Sequence, residues 1–155
     1  EHDGRFLMVE EATSEGLRLN NPAGHLEAGE SPLDAVVREA LEETTRRFVP
    51  EALLGVYLAR TAGGDGRVDT TYVRFAFRGR VGEPLPGHRL DTGIVRTLWL
   101  SPDELRATRA RHRSPLVMRG IEDHLAGRRF PLDLVYTDAT VPALGGGPSP
   151  DTTVR

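Results

Sequence analysis

Ser31-Pro32-Leu33-Asp34-Ala35-Val36-Val37-Arg38-Glu39-Ala40-Leu41-Glu42-Glu43 is the segment from which the rest of the chain becomes readable. Ser31 is an N-cap residue, Pro32 suits the first helical position, and Asp34 stands three residues after the cap, so a helix starts here. Leu33, Val36, Val37, Ala40 and Leu41 recur at helical spacing, which predicts one buried stripe and a helix running to about Arg47. Glu39, Glu42 and Glu43 stand at i, i+3 and i+4 and share one face.

That face has two readings. One is a solvated helix surface, with Glu42 paired to Arg46 and Glu43 to Arg47. The other is a cation site. Glu39 and Glu43 are like charges four residues apart, with Glu27 and Glu30 just upstream, and each such pair costs roughly 0.2–0.5 kcal/mol unless a cation offsets it. Mg²⁺ suits these groups because it takes oxygen ligands, keeps several waters, and bridges protein carboxylates to substrate phosphates.

Upstream of the helix, Arg5 to Glu11 reads as an apolar strand and Leu17 to Asn20 as a short second one, before the turn Asn21-Pro22-Ala23-Gly24. A further strand before Glu1 is expected. Downstream, Ala52 to Thr61 and Val68 to Arg80 are strands joined by Ala62-Gly63-Gly64-Asp65-Gly66, a hairpin signal. Ile94 to Leu100 is another strand. Ser101-Pro102-Asp103-Glu104 is a capping box that opens a short helix, and Ser114-Pro115 opens one that Gly127 closes. These elements alternate without a regular βαβ period, so the expected class is α+β, a mixed β-sheet sandwiched between α-helices. Residues 1–137 form the expected domain, and 138–155, rich in Pro, Gly, Ser and Thr, a tail.

A chain of 155 residues, 38% hydrophobic and 28% charged with a net charge of −3, has enough apolar material for one core. It contains no cysteine, which removes disulfide scaffolds, thiolate metal sites and cysteine nucleophiles. It also contains no lysine, so its 20 basic residues are all arginine, and Schiff-base, P-loop and Ser-Lys chemistry are excluded. The absence of G-x-S-x-G weakens a serine-hydrolase reading. Mild acidity without a basic stripe argues against nucleic acid as a partner. With no apolar window of about 18 residues and no signal-peptide pattern, a cytoplasmic protein away from membranes is expected, as a monomer or homodimer.

Gly24-x5-Glu30-x7-Arg38-Glu39-Ala40-x-Glu42-Glu43 resembles the signature of the Nudix hydrolases, which cleave diphosphates linked to another moiety. Two positions depart from it: Thr45 replaces an expected glycine, and Ala40 is small where a bulky aliphatic residue is usual. Threonine resists the left-handed conformation, so the helix either runs on through Arg46 or ends with strain. Asn21-Pro22-Ala23-Gly24-His25-Leu26-Glu27, Arg113-Ser114-Pro115-Leu116-Val117 and Arg129-Phe130-Pro131-Leu132 are similar to the NudJ-type phosphatase subgroup of that family.

The resemblance implies the Nudix fold and a divalent cation, Mg²⁺ or alternatively Mn²⁺, held by Glu39, Glu42, Glu43 and the Ala23 carbonyl. It implies that Glu30 and Arg38 pair to orient Glu39, and that Glu39 activates the attacking water, with Asp65, Asp69 and Asp91 as loop alternatives. The subgroup implies orthophosphate release from thiamine-type pyrophosphates or nucleoside di- and triphosphates. Strand alternation puts Tyr57 with Ala59 and Tyr72 with Arg74, so these tyrosines and Arg74, with His25 and Arg113, are candidate substrate contacts. Two rivals stand beside this reading: a housecleaning nucleoside triphosphate pyrophosphohydrolase and a non-catalytic nucleotide-binding module.

Overall fold

Alternation along Phe6–Thr13, strand β1, gives it two working faces. Phe6 and Met8 point into a cluster with Leu105, Val117, Met118 and Ile121, and Leu100 packs against it. Glu10 continues that face, whereas Val9 and Glu11 point the other way. Met8 and Val9 are both fully buried, so the sheet is covered on both sides. The structure, a computed structural model, describes residues 1–61 and 69–141.

After β1 come strand β2 (Gly16–Asn20), helix α1 (Pro32–Thr44), strands β3 (Arg46–Thr61), β4 (Thr70–Pro84) and β5 (Ile94–Leu100), and helices α2 (Pro102–Ala107) and α3 (Leu116–Leu125). β2 and β5 flank β1 antiparallel, with Val9 opposite both Asn20 and Thr97. Leu19 and His112 add an isolated parallel bridge at the β2 edge. β3 and β4 form a second antiparallel ladder from Arg46↔Pro84 to Thr61↔Thr70, tied by a bridge from Leu53 to Phe130. The expected turn at 62–66, the start of a strand at Val68, and most of the tail lie outside the described residues.

Both capping boxes form as read. Ser31 Oγ accepts from the Asp34 N–H at 3.1 Å and the Asp34 carboxylate accepts from the Ser31 N–H at 3.4 Å; Ser101 and Glu104 repeat the pattern. The far end of α1 departs from the expected extension to Arg47. Thr45 adopts φ 58° and ψ 18°, its N–H bonds to the Leu41 carbonyl at 2.8 Å, and the chain leaves directly into β3. For a β-branched residue this left-handed turn costs roughly 1–2 kcal/mol. The Leu85 N–H bonds to the Thr45 carbonyl at 2.8 Å and holds the turn from outside. The predicted stripe also shifts: Val37 is exposed, and the buried positions are Ala40, Glu43 and Thr44. β3 starts at Arg46 rather than Ala52, and β4 continues to Pro84 rather than ending at Arg80, with register shifts that carry the ladder past Pro50 and Gly55.

Candidate active site

Arg38 is the hub of the carboxylate face. Its Nε donates to Glu30 Oε2 at 3.0 Å and its Nη2 to Glu30 Oε1 at 2.7 Å, a bidentate pair beneath the loop that precedes α1. Nη1 reaches Glu39 Oε1 at 2.8 Å and Glu42 Oε2 at 2.9 Å, and Nη2 also donates to the His25 carbonyl at 3.0 Å. The Arg38 hydrogen bonds outweigh burial and hold the Glu30 carboxyl below its usual range, while Glu30 and the other acids raise Arg38. Glu42 therefore pairs backward to Arg38 rather than forward to Arg46, which donates to the Gly82 carbonyl from the start of β3.

Glu39 lies close against the loop at Gly24. A Cβ at this position would fall 1.8 Å from the Glu39 carboxyl carbon, so the side chain of Glu39 lies directly against the Gly24 backbone. One residue earlier, the Ala23 N–H donates to Glu43 Oε2 at 2.8 Å. The Ala23 N–H is thus committed to Glu43.

Glu43 is buried, 8% exposed. Burial pushes its carboxyl up to about 7; the Ala23 hydrogen bond opposes this, and the charges of Glu11, Glu39 and Asp91 add to it. Arg74, on the facing strand, is pulled down by burial and supported by Glu11 and Glu43. The region thus gathers four acids, with Arg74 shared between two of them. Asp91 is the loop carboxylate that reaches this cluster, and its N–H also bonds to the Glu42 carbonyl at 2.9 Å. Asp69 instead pairs with Arg60 at 2.5 Å, and Asp65 lies outside the described residues.

Of the expected substrate contacts, His25 and Tyr72 come together, with ring centroids 6.4 Å apart and tilted by 41°. Register places Tyr57 opposite Arg74 and Ala59 opposite Tyr72, so all four share one face. Tyr57, however, turns its hydroxyl away to Asp123 on α3 at 2.9 Å. Burial and that bond raise the Tyr57 hydroxyl to about 12. The polar end of Tyr57 is thus committed to a tie between β3 and α3. Arg113 lies 3.5 Å from Glu11. Glu11 escaped the sequence reading, although two consecutive acids ending an apolar run, Glu10-Glu11, must face opposite sides of the sheet.

Among the described residues, no three His, Asp or Glu side chains already close around a common point as a metal site. The donors nevertheless fit a hard divalent cation. They are all oxygens, and burial and neighbouring acids leave Glu43 short of positive charge.

Comparison with known proteins agrees with this geometry. A model of the NUDIX domain matches residues 1–120. Phosphatase NudJ of Escherichia coli K12 is 32% identical over 133 residues, covering 86% of this chain and 83% of that protein. A NUDIX hydrolase from Nitrosomonas europaea superposes with a TM-score of 0.82 at 50% identity, covering 89% of this chain and 91% of that one. A UDP-X diphosphatase, 19% identical with a TM-score of 0.62, shares the fold over 83% of this chain and 60% of its own. The Gly24–Glu43 signature is thus seated in its family's fold, and the chain belongs to the Nudix family, as a hydrolase of phosphorus-containing anhydrides.

Proposed function

We propose that residues 1–137 form a Mg²⁺-dependent phosphatase that removes the terminal phosphate from thiamine-type pyrophosphates or nucleoside di- and triphosphates. Glu39, Glu42 and Glu43 hold the cation, with Mn²⁺ a possible replacement. The observation that carries the reading is the charge imbalance around Glu43, where Glu11, Glu39 and Asp91 crowd a buried carboxylate. The similarity to phosphatase NudJ supports orthophosphate as product.

A divalent cation held by Glu39, Glu42 and Glu43 would lower the pKa of bound water and offset charge on phosphoryl oxygens. Glu39, seated against Gly24 and fixed by Arg38, takes the proton from the attacking water. The water oxygen bonds to the terminal phosphorus, the bridging P–O bond breaks, and its electron pair leaves with the shortened substrate. Glu30 keeps Arg38, and through it Glu39, in place. Arg74 and Arg113 meet the phosphate chain, and His25 and Tyr72 meet the flat heterocycle.

Hydrolysis of thiamine pyrophosphate and of ATP in ¹⁸O-labelled water tests the reaction. Label in released orthophosphate is the expected result. Label in AMP, with unlabelled pyrophosphate leaving, places the attack at the inner phosphorus and favours a housecleaning pyrophosphohydrolase. Nucleotide binding without turnover leaves the non-catalytic module.

A further inference from the structure

Glu11 lies outside the Gly24–Glu43 signature, yet it connects three separate parts of the site. Its Oε1 accepts from Asn20 Nδ2 at 2.7 Å, where β2 runs into the loop ahead of Gly24. Its Oε2 lies 3.5 Å from Arg113 Nε, in the segment between α2 and α3. Its charge bears on both Glu43 and Arg74. The Arg113 backbone is anchored independently, because its N–H donates to the Leu19 carbonyl at 2.8 Å. The Arg113 backbone is therefore fixed and its Nε stands in ion-pair range of Glu11, while the side chain stays half exposed. An arginine that turns its Nε to a carboxylate keeps its terminal Nη groups for another partner, and those groups suit phosphate oxygens.

We propose that Glu11, whose charge bears on Glu43, is a positioning residue that steadies Arg113 so that its terminal nitrogens receive the diphosphate of the substrate. This rests on the reading that Arg113 meets the phosphate chain. Holding the guanidinium before binding removes part of the rotamer entropy that contact would otherwise cost, so the effect falls on affinity. Asn20 completes the device by fixing the opposite carboxylate oxygen.

The test measures binding of methylenediphosphonate, a non-hydrolysable diphosphate, to the full chain with Mg²⁺ by titration calorimetry, and so needs no turnover. Arg113→Ala is expected to weaken binding roughly tenfold and Glu11→Gln roughly threefold to fivefold. In the Arg113→Ala background, Glu11→Gln is expected to add nothing. Glu11→Asp, which keeps the charge on a shorter stem, should recover part of the loss, and thermal melts confirm that each variant is folded. If Arg113→Ala leaves affinity unchanged, the phosphate reading of Arg113 fails and the proposal with it. If Arg113→Ala weakens binding and Glu11→Gln does not, or if Glu11→Gln acts equally in both backgrounds, the positioning role alone is wrong. A rise in the Mg²⁺ concentration needed by Glu11→Gln would place Glu11 at the cation and equally overturn it.

Discussion

Glu10 and Glu43 are both buried glutamates near β1, at 1% and 8% exposure, but the fold treats them in opposite ways. Glu10 receives Arg96 Nε at 2.7 Å and also bonds to Arg111, and these hydrogen bonds outweigh burial and hold its carboxyl below the usual range. Glu43 has one backbone donor and shares the charge of Arg74 with Glu11, while the charges of Glu11, Glu39 and Asp91 bear on it and burial drives it up to about 7. One carboxylate is neutralised by the chain's own arginines. The other is left short of positive charge at the place where the family signature sits. The difference separates a structural ion pair from the site proposed for the cation more clearly than the residue types do, since both are glutamates beside arginine-rich segments.

The largest expected effect follows from removing the charge at Glu43. Glu43→Gln should lower turnover by roughly 10² or more, as should a chelator on the wild type, with no loss of thermal stability. Full turnover after chelation would remove the cation from the account. Next comes Glu10→Gln, expected to cost about 1–3 kcal/mol because it weakens two charge-assisted bonds, with kcat/KM per folded molecule unchanged. Chemical denaturation measures it.

The two acids also differ in the sign of their pH dependence. Glu10 has a depressed folded pKa, so its stabilisation is present above 4.5 and fades as pH falls through that lower value. The stability gap between wild type and Glu10→Gln should therefore close in acid. Glu43 is raised, so in chelator-treated protein its contribution is intact below 4.5 and is lost as pH rises through about 7. Over that window Glu43→Gln should gain on the wild type. Equal pH dependence for the two variants would erase the contrast.

Two smaller effects sharpen it. Tyr57→Phe should destabilise by about 1 kcal/mol through the lost bond to Asp123 and leave KM for diphosphates unchanged. A raised KM would return Tyr57 to the substrate contacts. Thr45→Gly should stabilise by about 1 kcal/mol or less, a rise of a few degrees in Tm, since it relieves a left-handed threonine. A fall in Tm would mean that the flexibility glycine adds to the unfolded chain outweighs the strain it removes.

The features legible in the sequence were those whose partners lie within a few residues. Ser31 with Asp34 and Ser101 with Glu104 announce their caps. The end of α1 was less legible because the turn at Thr45 is held by Leu85, forty residues later. The side-chain directions in the site were least so. Tyr57 answers to Asp123 on α3, and Glu11 to Asn20 and Arg113, partners that only the register of β1, β2 and β3 brings within reach. Local spacing placed three glutamates on one face. Distant packing decided that Glu43 would be the buried one among acids.

In the proposed function the face containing Glu43 takes a divalent cation beside Arg74. Mn²⁺ titration followed by electron paramagnetic resonance, which reads the free ion, tests it directly in wild type and Glu43→Gln. The account predicts that the wild type removes free Mn²⁺ saturably and that Glu43→Gln binds at least tenfold more weakly, by about 1.4 kcal/mol. Equal binding by both proteins, or none by the wild type, would contradict it.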